Sequence, residues 1–123
     1  MSSTLRAIGT TLLAAVTLRL TRYEIAGESM TPALSPGDWV FAVKRPRRIR
    51  VGDIVVFEIR PGFEVVKRVT DPPAGTDGLW LLGDNPEAGS VDSKSLGPIA
   101  LDRVIARLVF RYRPGPLTAV GRS

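Results

Sequence analysis

The chain has 123 residues, enough for one domain with short extensions, and contains neither histidine nor cysteine. This excludes a Ser-His-Asp triad, an imidazole or thiolate metal site, a thiol nucleophile and any disulfide. A formal charge of +5 suits anionic partners, and only Lys44, Lys67 and Lys94 offer a lysine amine for proton transfer near neutral pH.

Residues 5–20 form an apolar run, with Arg6 and Arg19 enclosing twelve uncharged residues. As a helix, sixteen residues span about 24 Å, short of the roughly 30 Å hydrocarbon core of a bilayer. No A-x-A cleavage pattern follows the run. Residues 1–22 are therefore read as an apolar helix, either packed on the domain, lying at an interface as a weak anchor, or spanning marginally. From Tyr23 the pattern is strand and turn. Short strands are predicted over 39–43, after Ser35-Pro36-Gly37-Asp38, and over 53–59, after Gly52. Further strands are predicted over 63–70, after Pro61-Gly62, and over 79–82. Residues 83–98 read as a long polar loop, and loops of that length are usually functional or disordered. Residues 99–112 read as one long strand, and 114–123 as a mobile tail. The whole implies a mainly β fold, a barrel or sandwich of short antiparallel strands with an N-terminal helix. Between strands, the run Lys44-Arg45-Pro46-Arg47-Arg48-Ile49-Arg50 reads as a solvated loop or as a contact for phosphate or lipid headgroups. It holds no aromatic residue for base stacking.

Two places carry chemistry. In Phe63-Glu64-Val65-Val66-Lys67-Arg68-Val69-Thr70, strand alternation puts Val65, Lys67 and Val69 on one face. Lys67 thus sits between two valines on the less polar side, where desolvation disfavours its charged form. About one free lysine in two thousand is neutral at pH 7; lowering the pKa to about 7–8 takes roughly 3–4 kcal/mol, which burial can supply. The alternative is a lysine whose stem packs while its tip reaches water. In Gly27-Glu28-Ser29-Met30-Thr31-Pro32, Pro32 biases Thr31 away from helix and Gly27 permits unusual angles, so Ser29 lies in a shaped turn. Such a serine is usually a turn residue only. A serine beside a neutral lysine is instead a nucleophile with its base.

These residues carry a resemblance. Ser29-Met30-Thr31-Pro32 resembles the S-M-x-P nucleophile motif of the type I signal peptidases, and Gly52-Asp53-Ile54-Val55-Val56-Phe57 resembles their G-D-h-V-x-h strand. Val66-Lys67-Arg68-Val69 is similar to their lysine motif, and Gly83-Asp84-Asn85 with Ser90, Asp92-Ser93-Lys94 and Gly97 to their last box. The four stand in family order over about residues 27–110. The resemblance implies a serine endopeptidase in which Ser29 attacks the scissile carbonyl and its backbone N–H donates to the oxyanion. Lys67 takes the hydroxyl proton and later activates water, Ser90 orients the lysine amine, Asp92 and Lys94 form a supporting pair, and Asp84 and Asn85 shape the loop.

Three departures stand out. Gly27 occupies the place where many members have a serine donating to the oxyanion, Lys94 stands for the usual arginine, and the spacing from Gly83 to Ser90 is one residue longer. The inserted second β-domain of longer members is absent, since only Thr70 to Gly83 separates the last two motifs. Trp80 to Ala88 and Val109 to Pro114 are most similar to the nickel-type superoxide dismutase maturation proteases. The expected organisation is a catalytic domain over 23–113, acting on a protein or peptide with an N-terminal leader: in the main reading a nickel superoxide dismutase precursor, in the alternative a secretory preprotein. No cofactor is expected; nickel would belong to the substrate. The resemblance implies a bacterial enzyme in the cytoplasm or at a membrane, with peripheral or anchored membrane contact. A self-cleaving repressor-type protease lacks support, without an Ala-Gly linker or helix-turn-helix, and a nucleic-acid-binding basic barrel is the non-enzymatic alternative.

Overall fold

The computed structural model describes residues 19–121. Seven strands form one antiparallel sheet: β1 (Leu20–Glu24), β2 (Trp39–Lys44), β3 (Ile54–Arg60), β4 (Phe63–Thr70), β5 (Trp80–Leu82), β6 (Val104–Arg113) and β7 (Thr118–Ala119). The order is β1-β2-β6-β3-β4-β5, with β7 on β6. The mainly β class expected from the short strands and Gly/Pro turns is the class observed. Strand β3 shows why its run of valines was needed. Ile54 and Val56 join one apolar cluster with Met30, Leu34, Val40 and Leu108, while Val55 and Phe57 join a second with Val69, Leu81, Ile99 and Val104. A strand buried on both faces reads as continuous apolar sequence rather than alternation.

The Gly-Asp turn before β3 is built by hydrogen bonds. Gly52 takes a φ of 98°, a region that a Cβ disfavours. Its N–H donates to the Val69 carbonyl, and the Val69 N–H donates to Asp53 O, both at 2.8 Å. The buried Asp53 carboxylate accepts from the Arg50 N–H at 2.8 Å. The turn therefore fastens the start of β3 to the far end of β4, the strand that carries Lys67.

Several boundaries differ from the sequence reading. Up to residue 18, the expected helix over 1–22 lies outside the described residues; Leu20, Thr21 and Arg22 stand in β1, paired with Val43, Ala42 and Phe41. The loop 83–98 carries a 3-10 turn, Pro86–Ala88, and a four-residue helix α1, Ser93–Leu96. The strand expected from 99 begins at Val104, after the turn Leu101–Arg103; Ile99 instead bridges Leu79. The tail expected from 114 turns back at Pro114-Gly115-Pro116, and β7 pairs Phe110 with Ala119 and Arg111 with Thr118. Val120 then packs on the first core cluster, which gives this end of the chain an apolar reason to return.

Candidate active site

Strand β4 presents Lys67 and Arg68 to opposite sides, as the period of two requires. Lys67 is 3 % exposed, and its Nζ lies 2.9 Å from Ser29 Oγ in a hydrogen bond that joins residues 38 apart in sequence. Burial among apolar neighbours holds the amine's pKa below its ordinary 10.5, and the nearby charge of Asp92 opposes that shift. A charged amine donates to the serine oxygen across this contact. A neutral amine offers its lone pair to the serine proton.

Ser29 is held by contacts that converge from the Gly83-Asp84-Asn85 box. The Asn85 N–H donates to Ser29 O at 2.9 Å. Its Nδ2 donates to Glu28 O at 3.2 Å and to Thr31 Oγ1 at 3.0 Å, clasping both flanks of Ser29. Gly83 explains itself by distance: a Cβ there would stand 2.8 Å from the Ser29 carbonyl oxygen, closer than real Cβ atoms come. Met30 and Leu34, both buried, anchor the turn into the first core cluster. Among the described residues the Ser29 N–H makes no hydrogen bond, so it is free to donate. Glu28, next to Ser29, is exposed.

The other face of β4 carries a residue that sequence reasoning passed over. Arg68 donates through Nε to Asp84 Oδ1 and through a terminal nitrogen to Asp84 Oδ2, both at 2.8 Å, and through its other terminal nitrogen to Gly52 O at 2.9 Å. This fork fixes the Gly83-Asp84-Asn85 box to the strand bearing Lys67. It links the two halves of the candidate dyad through protein rather than through solvent. The signal in sequence was an Arg beside the lysine and an Asp in the box, but nothing local says that they meet. The hydrogen bond to Asp84 holds the guanidinium pKa further above its usual value.

Ser90, Asp92 and Lys94 sit differently from expectation. Ser90 is exposed at the rim of the same cleft, beside Gly83, and among the described residues no hydrogen bond joins it to Lys67. The 3-10 turn Pro86–Ala88, closed by the Gly89 N–H on Pro86 O, precedes it. Asp92 and Lys94 meet through backbone: Asp92 Oδ1 accepts the Lys94 N–H at 2.9 Å and caps α1, with no ion pair between the two side chains among the described residues. Ser93, fully buried, accepts the Leu81 N–H at 2.8 Å and ties α1 to β5.

Ser29 and Lys67 open onto a cleft of about 370 Å³ between the segment 23–30 and the outer half of β4. Its apolar lining includes Ile25, Met30, Val56, Val65, Val66 and Ala88. Among the described residues the outer half of β4 has no strand beyond it, because β5 pairs only Arg68, Val69 and Thr70. Unpaired backbone next to an apolar cleft can take an extended peptide as an added strand. Tyr23 also lines the cleft, its phenol pKa raised by burial and then by the charge of Glu64. Such a site supports acyl transfer to a serine.

The sequence model of the family described as "Signal peptidase, peptidase S26" matches residues 1–76. That stretch includes Ser29, the strand opened by Gly52 and Lys67, while the box from Gly83 lies beyond it. The signal peptidase complex catalytic subunit SEC11 of Clavispora lusitaniae (strain ATCC 42720) is 42 % identical over 60 residues, covering 46 % of this chain and 36 % of the relative. The chain therefore spans roughly a third of the length of this curated relative.

Proposed function

The chain belongs to the signal peptidase (peptidase S26) family, and from that premise we propose that it is a serine endopeptidase removing N-terminal leader peptides with a Ser29–Lys67 dyad. One observation carries the reading: a lysine, 3 % exposed as a residue, whose amine is shifted below its ordinary pKa and lies 2.9 Å from a serine hydroxyl at the mouth of an apolar cleft.

The chemistry follows from those groups. A peptide enters extended along the free half of β4. Neutral Lys67 accepts the Ser29 hydroxyl proton as Oγ forms a bond to the scissile carbonyl carbon, and the carbonyl oxygen becomes an anion. The Ser29 N–H donates to that anion, an interaction whose loss typically costs about 3 kcal/mol in the transition state. The protonated lysine gives its proton to the leaving amine as the C–N bond breaks. Water, deprotonated by the same amine, then bonds to the acyl carbon; the acyl C–Oγ bond breaks and the lysine returns its proton to Ser29 Oγ. Small side chains before the scissile bond are the family expectation, and the cleft that would take them is lined by valine, isoleucine and methionine.

Between the two substrate readings, the likeness to a signal peptidase complex catalytic subunit favours a secretory preprotein over a nickel superoxide dismutase precursor. Incubation of the full chain with one preprotein of each kind separates them: the proposal expects faster cleavage of the secretory substrate. Ser29→Ala and Lys67→Ala, each confirmed folded by circular dichroism, are expected to lose cleavage by at least about a thousandfold. Near-native turnover by either variant would remove the dyad.

A further inference from the structure

The basic run between β2 and β3 is not used by the dyad. Arg19, Lys44, Arg45, Arg47, Arg48 and Arg50 are all exposed, and among the described residues none forms an ion pair with a carboxylate. They are gathered from two distant stretches. The Arg19 guanidinium donates to Arg45 O at 3.5 Å, and Arg19, Lys44, Arg45 and Arg47 line one groove. Arg47 continues into a second groove with Arg48, Arg50 and Leu101. Large apolar side chains stand uncovered along this rim: Leu20 beside Arg19, Val51 beside Arg50, and Leu101 at 53 % exposure. Arg19 and Leu20 are also the last two residues of the apolar run 5–20.

We propose that this rim is a docking surface for an anionic phospholipid bilayer, with the cations on the headgroups and Leu20, Val51 and Leu101 in the headgroup boundary. Mixed cations and apolar side chains on one surface are what an interfacial protein needs, because each Lys or Arg near an anionic leaflet adds attraction while the apolar groups leave water. Six like charges held together without carboxylates repel one another, and a negative surface relieves that repulsion. Nucleic acid is the weaker partner for this rim: residues 44–50 hold no aromatic side chain to stack on a base, and uncovered leucine and valine gain nothing from phosphates.

The surface is independent of the dyad, and its test does not need peptide cleavage. Co-sedimentation of the full chain with vesicles of phosphatidylglycerol and phosphatidylcholine in equal parts should show tighter binding than with phosphatidylcholine alone, and the gain should fall as salt rises. Arg47→Gln combined with Arg48→Gln should weaken binding to the anionic vesicles about 25-fold, roughly fivefold per arginine, and leave binding to phosphatidylcholine unchanged. Equal affinity for both vesicle types would overturn the proposal, as would an anionic preference that survives the double substitution. Tighter binding to duplex DNA than to anionic vesicles at the same salt would reassign the rim to nucleic acid. Cleavage of a soluble peptide by the double variant is expected to match the native chain, so failure here leaves the proposed peptidase standing.

Discussion

Lys67 and Arg68 are adjacent cations on one strand, and the protein treats them in opposite ways. Lys67 is buried without a carboxylate in hydrogen-bonding contact, and its pKa falls; Arg68 is partly exposed, grips Asp84 with two nitrogens, and its pKa rises. The strand's alternation alone separates the two environments. One face is apolar enough to strip water from an amine, and the other brings a carboxylate within 2.8 Å. The pairing teaches that charge type does not set a cation's work: desolvation makes one a candidate base, and bidentate hydrogen bonding makes the other a brace.

Exchanging the two should break the comparison most sharply. Lys67→Arg puts a group that stays protonated at the base position, and cleavage of a leader peptide is expected to fall by at least about a thousandfold. Arg68→Lys replaces the fork with a point charge, and cleavage should stay within about tenfold while denaturant unfolding shows a loss of about 1–2 kcal/mol. Comparable loss of cleavage in both variants would mean that the two faces do not differ in kind.

The brace can be tested from its other end. Gly83→Ala places a methyl group against the Ser29 carbonyl oxygen, so the nucleophile turn must shift; a drop of about a hundredfold in kcat is expected from a displacement of this size. Unchanged kcat would mean that Ser29 tolerates movement that the proposed geometry forbids.

The desolvated face also predicts a pH dependence. Because the folded-state pKa of Lys67 lies below 10.5, the unfolded chain binds more protons between those two values. Stability therefore rises as pH climbs through that window, and the penalty of burying the amine is fully present below the folded-state pKa. Lys67→Met should unfold at higher denaturant than the native chain at pH 7, with the difference closing as pH approaches 10.5. Native cleavage should rise with pH through an apparent base pKa below that of free lysine. A gap that stays constant with pH would place the amine in water.

Ser90→Ala should have the smallest effect. Ser90 lies exposed at the rim and makes no hydrogen bond to Lys67 among the described residues, so kcat/KM for a leader peptide should change by less than about fivefold. A loss of a hundredfold or more would show that its hydroxyl reaches the amine once substrate is bound.

Much of this arrangement was legible in the chain. The boundaries of β4 follow from its turn signals and β-branched residues, and the inward direction of Lys67 follows from Val65 and Val69 two residues to either side. The turn at Ser29 was legible from Gly27 and Pro32. Other features were not. Asp92 and Lys94 read as a charge pair, yet the backbone of Lys94 answers the carboxylate, because a helix start offers N–H donors closer than an ammonium on a long stem. Residues 114–121 read as a tail because Pro and Gly break regular patterns; they return to β6 because Val120 has a core to join.

By itself, the sequence determined which side chains could do chemistry, since it lacks histidine and cysteine, and it determined the local shapes that periodicity and turn residues impose over a few positions. Only the tertiary structure decided that an amine and a hydroxyl 38 residues apart lie 2.9 Å from each other, and that Arg68, Asp84 and Asn85 hold them there. Strand alternation fixes a direction in space. The distance at the end of that direction depends on sheet order and packing, which no local window of sequence contains.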